Sequence, residues 1–170
     1  MTDAEVYADA AIMGAVAGIR SMSGPSLVSK LSEAGLLPQE AGTPGSWLAN
    51  PGINKALKVL AGGEMLVDKL PFLPDRTDAG PLLARAVTGG ASGAAICVAA
   101  KRPWWIGLLI GAGAAIGATF GATKLRKWAI EEKNIPSAAF GVAEDALVFG
   151  CAHVVMSTFK EAEKAIEAAV

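Results

Sequence analysis

The sequence predicts an all-α, polytopic membrane helix bundle of about five helices with close Gly/Ala packing, and three observations carry that reading. The first is Pro103 to Thr123, PWWIGLLIGAGAAIGATFGAT, a stretch without a formal charge. Lys101 and Arg102 close it on one side and Lys124, Arg126 and Lys127 on the other. As a helix rising about 1.5 Å per residue it reaches roughly 31 Å, the thickness of a bilayer's hydrocarbon core. Trp104 and Trp105 stand at its mouth, where amphipathic rings favour the headgroup region. The second observation is composition: 52% of residues are hydrophobic and only 18% charged, below the usual quarter of a soluble domain. The third is the abundance of alanine (34 residues) and glycine (20). Gly14 and Gly18, Gly89 and Gly93, and Gly113, Gly117 and Gly121 recur four apart, a spacing that flattens one side of a helix so that another backbone approaches closely.

Taken in order, the helical apolar pattern first runs from about Val6 to Met22. It follows Asp3, Glu5 and Asp9 rather than a basic segment, so it does not read as a signal peptide. Gly24-Pro25 predicts a break or kink, after which Ser26 to Leu37 resumes as a short helix. Pro38 to Pro51, with Trp47, is the longest loop. Asn54 to Leu70 is a helix with a solvated face, stopped by Pro71 and Pro74 before the polar turn Asp75-Arg76-Thr77-Asp78. Leu82 to Ala100 is the next apolar helix, and Lys101-Arg102-Pro103 a tight hairpin into the central one. Lys124 to Lys133 is a charged surface stretch, and Pro136 to Phe159 the last apolar helix. The domain division is therefore a bundle over 1–159 and a polar helical tail over 160–170. With alternating spans and Arg20 left uncounted, seven basic residues fall on each side, so the loops do not orient the protein.

Gly18-Ile19-Arg20-Ser21-Met22-Ser23-Gly24-Pro25, Glu64-Met65-Leu66-Val67-Asp68-Lys69-Leu70-Pro71, Pro74-Asp75-Arg76-Thr77 and Leu82-Leu83-Ala84-Arg85 resemble an uncharacterised bacterial membrane-protein family, domain of unknown function 4126. The glycine run ending at Gly121 and the later Glu144-Asp145 fit as well. The resemblance spans roughly Ala10 to Thr158, is most specific at Asp68 to Thr77, and implies a small integral membrane protein. It brings no activity, cofactor or catalytic residue.

Function must then be argued from the ionisable groups, which are costly at membrane depth and often mark a solute or proton path. Glu64 and Asp68 share one helix face, and Glu144 and Asp145 lie about 100° apart on another helix. They form the candidate ion or solute site, with Arg20, Lys69, Arg76 and Arg85 as candidate charge partners. The competing reading is that the acids pair with these bases only to hold the bundle together. His153, the single histidine, reads as a core or interfacial residue, and Cys97 and Cys151 as small core residues; none of these builds a metal site. No Gly-x-Ser-x-Gly occurs, and Gly62-Gly63 lacks the lysine of a phosphate loop, so no enzyme, metal or cofactor is indicated. A net charge of −1 makes no case for nucleic acid.

Two functions remain for a protein integral to the cell membrane. One is a transporter or channel-like protein for a cation, proton or small solute. The other is a structural or accessory protein that assembles with itself or a larger membrane complex through glycine-lined faces. A soluble alanine-rich bundle is the third, weaker reading. The echo of Gly14-Ala15-Val16-Ala17-Gly18 in Gly117-Ala118-Thr119-Phe120-Gly121, each ahead of an acid-bearing helix, predicts an inverted repeat. The helices of the echo would then run in opposite directions.

Overall fold

A computed structural model describes residues 1–37, 50–67 and 76–168, with the backbone alone at 64–67 and 166. It contains six helices and no strand among the described residues: α1 (Asp3–Ile19), α2 (Ser23–Glu33), α3 (Pro51–Val67), α4 (Ala79–Ala99), α5 (Trp104–Glu131) and α6 (Ser137–Glu167). The short second segment is a helix in its own right, so the described residues hold six helices where about five were expected. Three of them, α4, α5 and α6, are long and apolar enough to cross a membrane. The 17 residues of α1 and of α3 and the 11 of α2 fall short of the roughly 20 needed for a full span.

Local chemistry explains where the helices begin and end. The acidic start of the chain nucleates α1: the Thr2 hydroxyl accepts from the Glu5 amide (3.3 Å) and the Glu5 carboxylate accepts from the Thr2 amide (2.6 Å). This reciprocal cap satisfies two amides that the helix itself cannot. Pro25 lies in the first turn of α2, where a missing amide costs no helical bond, so the Gly-Pro pair opens a helix instead of breaking one. The break falls earlier, at Arg20, which leaves α1 in extended conformation. After Thr123 the charged stretch stays helical as far as Glu131. From Lys160 to Glu167 the tail is the continuation of α6. Lys101, at φ 56°, closes the α4–α5 hairpin in the left-handed conformation, and the Arg102 amide donates back to the Cys97 carbonyl (2.7 Å).

Glycines set the centre of the bundle, where α1, α4 and α5 meet. A Cβ built on Gly93 would strike the Gly107 carbonyl, and one on Gly111 the Gly89 carbonyl, so α4 and α5 run antiparallel in backbone contact. A Cβ on Gly14 would strike Gly111, and one on Gly18 would strike Ala115, so α1 and α5 run parallel. The parallel pairing overturns the inverted repeat, which required opposite directions. Gly14 and Gly18 face Gly111 and Ala115 across an interface, whereas the echoing Gly117 and Gly121 lie on another face of α5. Gly113, Gly117 and Gly121 do not pack within the chain: a Cβ on any of them meets nothing within 4 Å.

Below this crossing Val6, Ala10 and Met13 of α1 pack with Val28 and Leu31 of α2, Ile96 and Cys97 of α4, and Val155 and Phe159 of α6. Toward the end where α1 finishes, Val16 and Ile19 meet Val148 of α6. The outward surfaces of the three long helices carry Leu83, Val87, Leu109, Phe120, Val142, Phe149 and Val154, all exposed. His153 is exposed among them, so of the two places expected for it, core or interface, the core is excluded. Cys97 is buried and Cys151 half-buried, and both are free thiols.

Candidate functional site

The end of the bundle where α1 finishes gathers buried charge from four directions. Arg20, the cap residue of α1, is 3% exposed because its extended backbone turns the side chain under α6. Its Nη2 lies 2.9 Å from Asp145 Oδ1 and 3.9 Å from Glu144 Oε2. Arg76, just ahead of α4, donates from Nη1 to Glu144 Oε1 at 3.1 Å. Arg126 of α5 places Nη1 3.6 Å from Glu144 Oε2 and donates from Nη2 to the Ser137 hydroxyl at 2.8 Å. Glu144, 5% exposed, is therefore held by three guanidinium groups from separate parts of the chain. A carboxylate this deep costs several kcal/mol to desolvate, and only such partners offset that cost.

Arg85, 5% exposed, has a different task. It donates to the Gly18 carbonyl at 2.8 Å, and the Thr119 hydroxyl lies 3.0 Å from the same oxygen. The last carbonyls of a helix lack intrahelical donors, and a buried helix end needs them supplied. A cation and a hydroxyl from two neighbours supply them here, so α1 can end inside the bundle.

Beside the cluster is a cavity of about 330 Å³, lined by Arg20, Arg76, Arg126, Ser137, Gly141 and Asp145 among others. Glu144 lies behind this wall, and Asp145 on it is already matched by Arg20. Among the described residues the walls are cationic, which suits an anion rather than the cation expected at these acids.

Of the residues singled out from sequence, the structure brings together Arg20, Arg76, Glu144 and Asp145. The Glu64 side chain, Asp68 and Lys69 lie outside the described residues, as does Trp47. Arg126 was not singled out, because it looked like one of several surface bases ending an apolar stretch. Its spacing from Gly107, Gly111, Ala115 and Thr119 puts it on the same helix face and was the available signal. A polar seam was also missed. Ser23, Ser26, Ser29 and Ser32 of α2 are all buried, and the buried Asn54 of α3 donates to the Ser29 carbonyl (3.3 Å) and to Glu33 (3.2 Å). Lys58 donates to Glu33 at 2.9 Å and holds that carboxyl below its ordinary pKa. The three-residue serine spacing was legible; its burial was not. Asp9, 3% exposed, leaves Oδ2 without a donor. No group of three or more metal-ligating side chains occurs among the described residues.

Compared with known families, curated proteins and solved structures, the chain has no match.

Proposed function

We propose that the chain is a small multi-pass protein of the cell membrane with a structural or accessory role, rather than a cation or proton conduit. The observation that carries this reading is the state of Glu144: buried, not part of the cavity lining and surrounded by three arginines. A carboxylate that moves a cation or proton must exchange with water or solute, whereas one held by several cations acts as a cross-link. Arg20, Arg76 and Arg126 reach it from α1, the α3–α4 connection and α5, so a single side chain of α6 ties four parts of the bundle together. The apolar outer surfaces of α4, α5 and α6 fit lipid, and their exposed small and aromatic residues fit assembly with another copy or a larger membrane complex.

Reconstituted liposomes with pH- and potassium-sensitive dyes test the proposal. Wild type and Asp145→Asn are expected to show the same background flux, while Asp145→Asn lowers thermal stability in detergent. Cation or proton flux that Asp145→Asn abolishes in a folded protein would overturn it. Release from membranes by alkaline carbonate would overturn the membrane assignment and restore the soluble bundle.

A further inference from the structure

The 330 Å³ cavity at the α5–α6 corner has features that a purely structural cluster does not need. Ser137, Ala138 and Gly141, from the first turns of α6, form one wall. The Ser137 and Ala138 amides precede the first bond of that turn, made by the Ala139 amide to the Pro136 carbonyl (2.9 Å). A 31-residue helix thus directs its positive end into the space. Arg76 and Arg126 both line this space, and the Arg126 side chain, 25% exposed, is open enough to reach a ligand beside Glu144. Gly141 keeps the space open, since a Cβ built there meets nothing within 4 Å.

The depth is equally specific. Arg126 comes three residues after Thr123, the last residue of the uncharged stretch, which places it about 5 Å beyond the apolar edge. That is the headgroup layer of a bilayer about 30 Å thick in its core. Planar guanidinium forks pair with phosphate oxygens in two parallel hydrogen bonds, and basic pockets between membrane helices bind phosphate-bearing headgroups. We infer that this cavity is a binding site for a phosphate group, carried either by an anionic lipid headgroup or by a free phosphate solute. Arg126 grips its oxygens, Arg76 adds positive charge to the wall, the α6 N-terminus and the Ser137 hydroxyl complete the cradle, and Arg20 keeps Asp145 from repelling it. The inference stands apart from the structural role proposed above, because a tied bundle end can exist with an empty cavity.

The test uses the full chain purified in a neutral detergent, titrated with inorganic phosphate and, separately, with mixed micelles of phosphatidylglycerol or phosphatidylcholine. Thermal stability and calorimetric heat are the readouts, at constant ionic strength set with chloride. Stabilisation by phosphatidylglycerol but not by inorganic phosphate or phosphatidylcholine supports a headgroup site, and stabilisation by inorganic phosphate supports a solute site. Arg126→Gln should weaken either by about tenfold, the worth of one charge-assisted pair. Gly141→Leu puts bulk on the cavity wall at a point where a Cβ meets nothing within 4 Å and should abolish binding, so the outcome does not depend on Arg126→Gln folding well. No response to either probe, or a response that both variants retain, would overturn the inference.

Discussion

Two faces of α5 carry glycine at the same four-residue spacing and meet opposite fates. Gly107 and Gly111, continued by Ala115 and Thr119, are buried against α1 and α4, with no room for a Cβ at either glycine. Gly113, Gly117 and Gly121, rotated by about 120°, face open space. Spacing shows that a backbone can come close; it does not show that one does. The partner decides, and α1 and α4 offer their own small residues, Gly14, Gly18, Gly89 and Gly93, only to the first face. That face also continues chemically, through the Thr119 hydroxyl to Arg126 and the carboxylate of Glu144.

The comparison breaks most sharply at Gly111. Gly111→Leu drives a side chain into the α4 backbone, which cannot yield, and should cost about 3 kcal/mol or more. Size-exclusion chromatography in detergent should show little monodisperse protein; a wild-type profile and melting temperature would mean that the three helices do not cross there. Next comes the far end of the same face. Glu144→Gln leaves three arginines around a neutral group and should destabilise by about 3 kcal/mol, at the lower end for a broken buried pair because the amide still accepts hydrogen bonds. Chemical denaturation reads this, and a loss below 1 kcal/mol would show that the cluster is loosely hydrated.

Thr119→Val keeps the shape and removes the hydroxyl beside the Gly18 carbonyl, for a loss of about 1 kcal/mol. Arg85 still donates to that oxygen, so the variant should fold; no measurable change would assign the capping of α1 to Arg85 alone. The smallest effect belongs to the open face. Gly117→Leu should leave the isolated chain unchanged or stabilise it by about 0.5–1 kcal/mol, since leucine is the better helix former. If it instead breaks a dimer seen by cross-linking in lipid, the open face is where a second copy binds.

Helix existence was legible where periodicity ran long: the cores of α1, α3, α4, α5 and α6 lie where apolar spacing put them. The ends were not. Pro25 was read as a break, yet it occupies a first helical turn, where the missing amide is harmless. The pairing of Glu144 and Asp145 with Arg20 and Arg76 could be suspected from charge alone, because buried acids need cations. That Arg126 joins them and that Arg85 caps a helix instead could not, since both depend on which faces turn inward.

By itself the sequence determined an all-α chain with one uncharged stretch of full membrane length, the abundance of small residues that lets backbones touch, and the presence of acids and arginines among them. These are properties of composition and spacing along one chain, and hydration and helical geometry act on them locally. Tertiary structure alone decided which glycine face is used, that α1 runs parallel to α5, and that three arginines from distant segments enclose one carboxylate beside a cationic cavity. Each of these depends on a partner brought from elsewhere in the chain, and a periodic pattern names a face without naming what lies across from it.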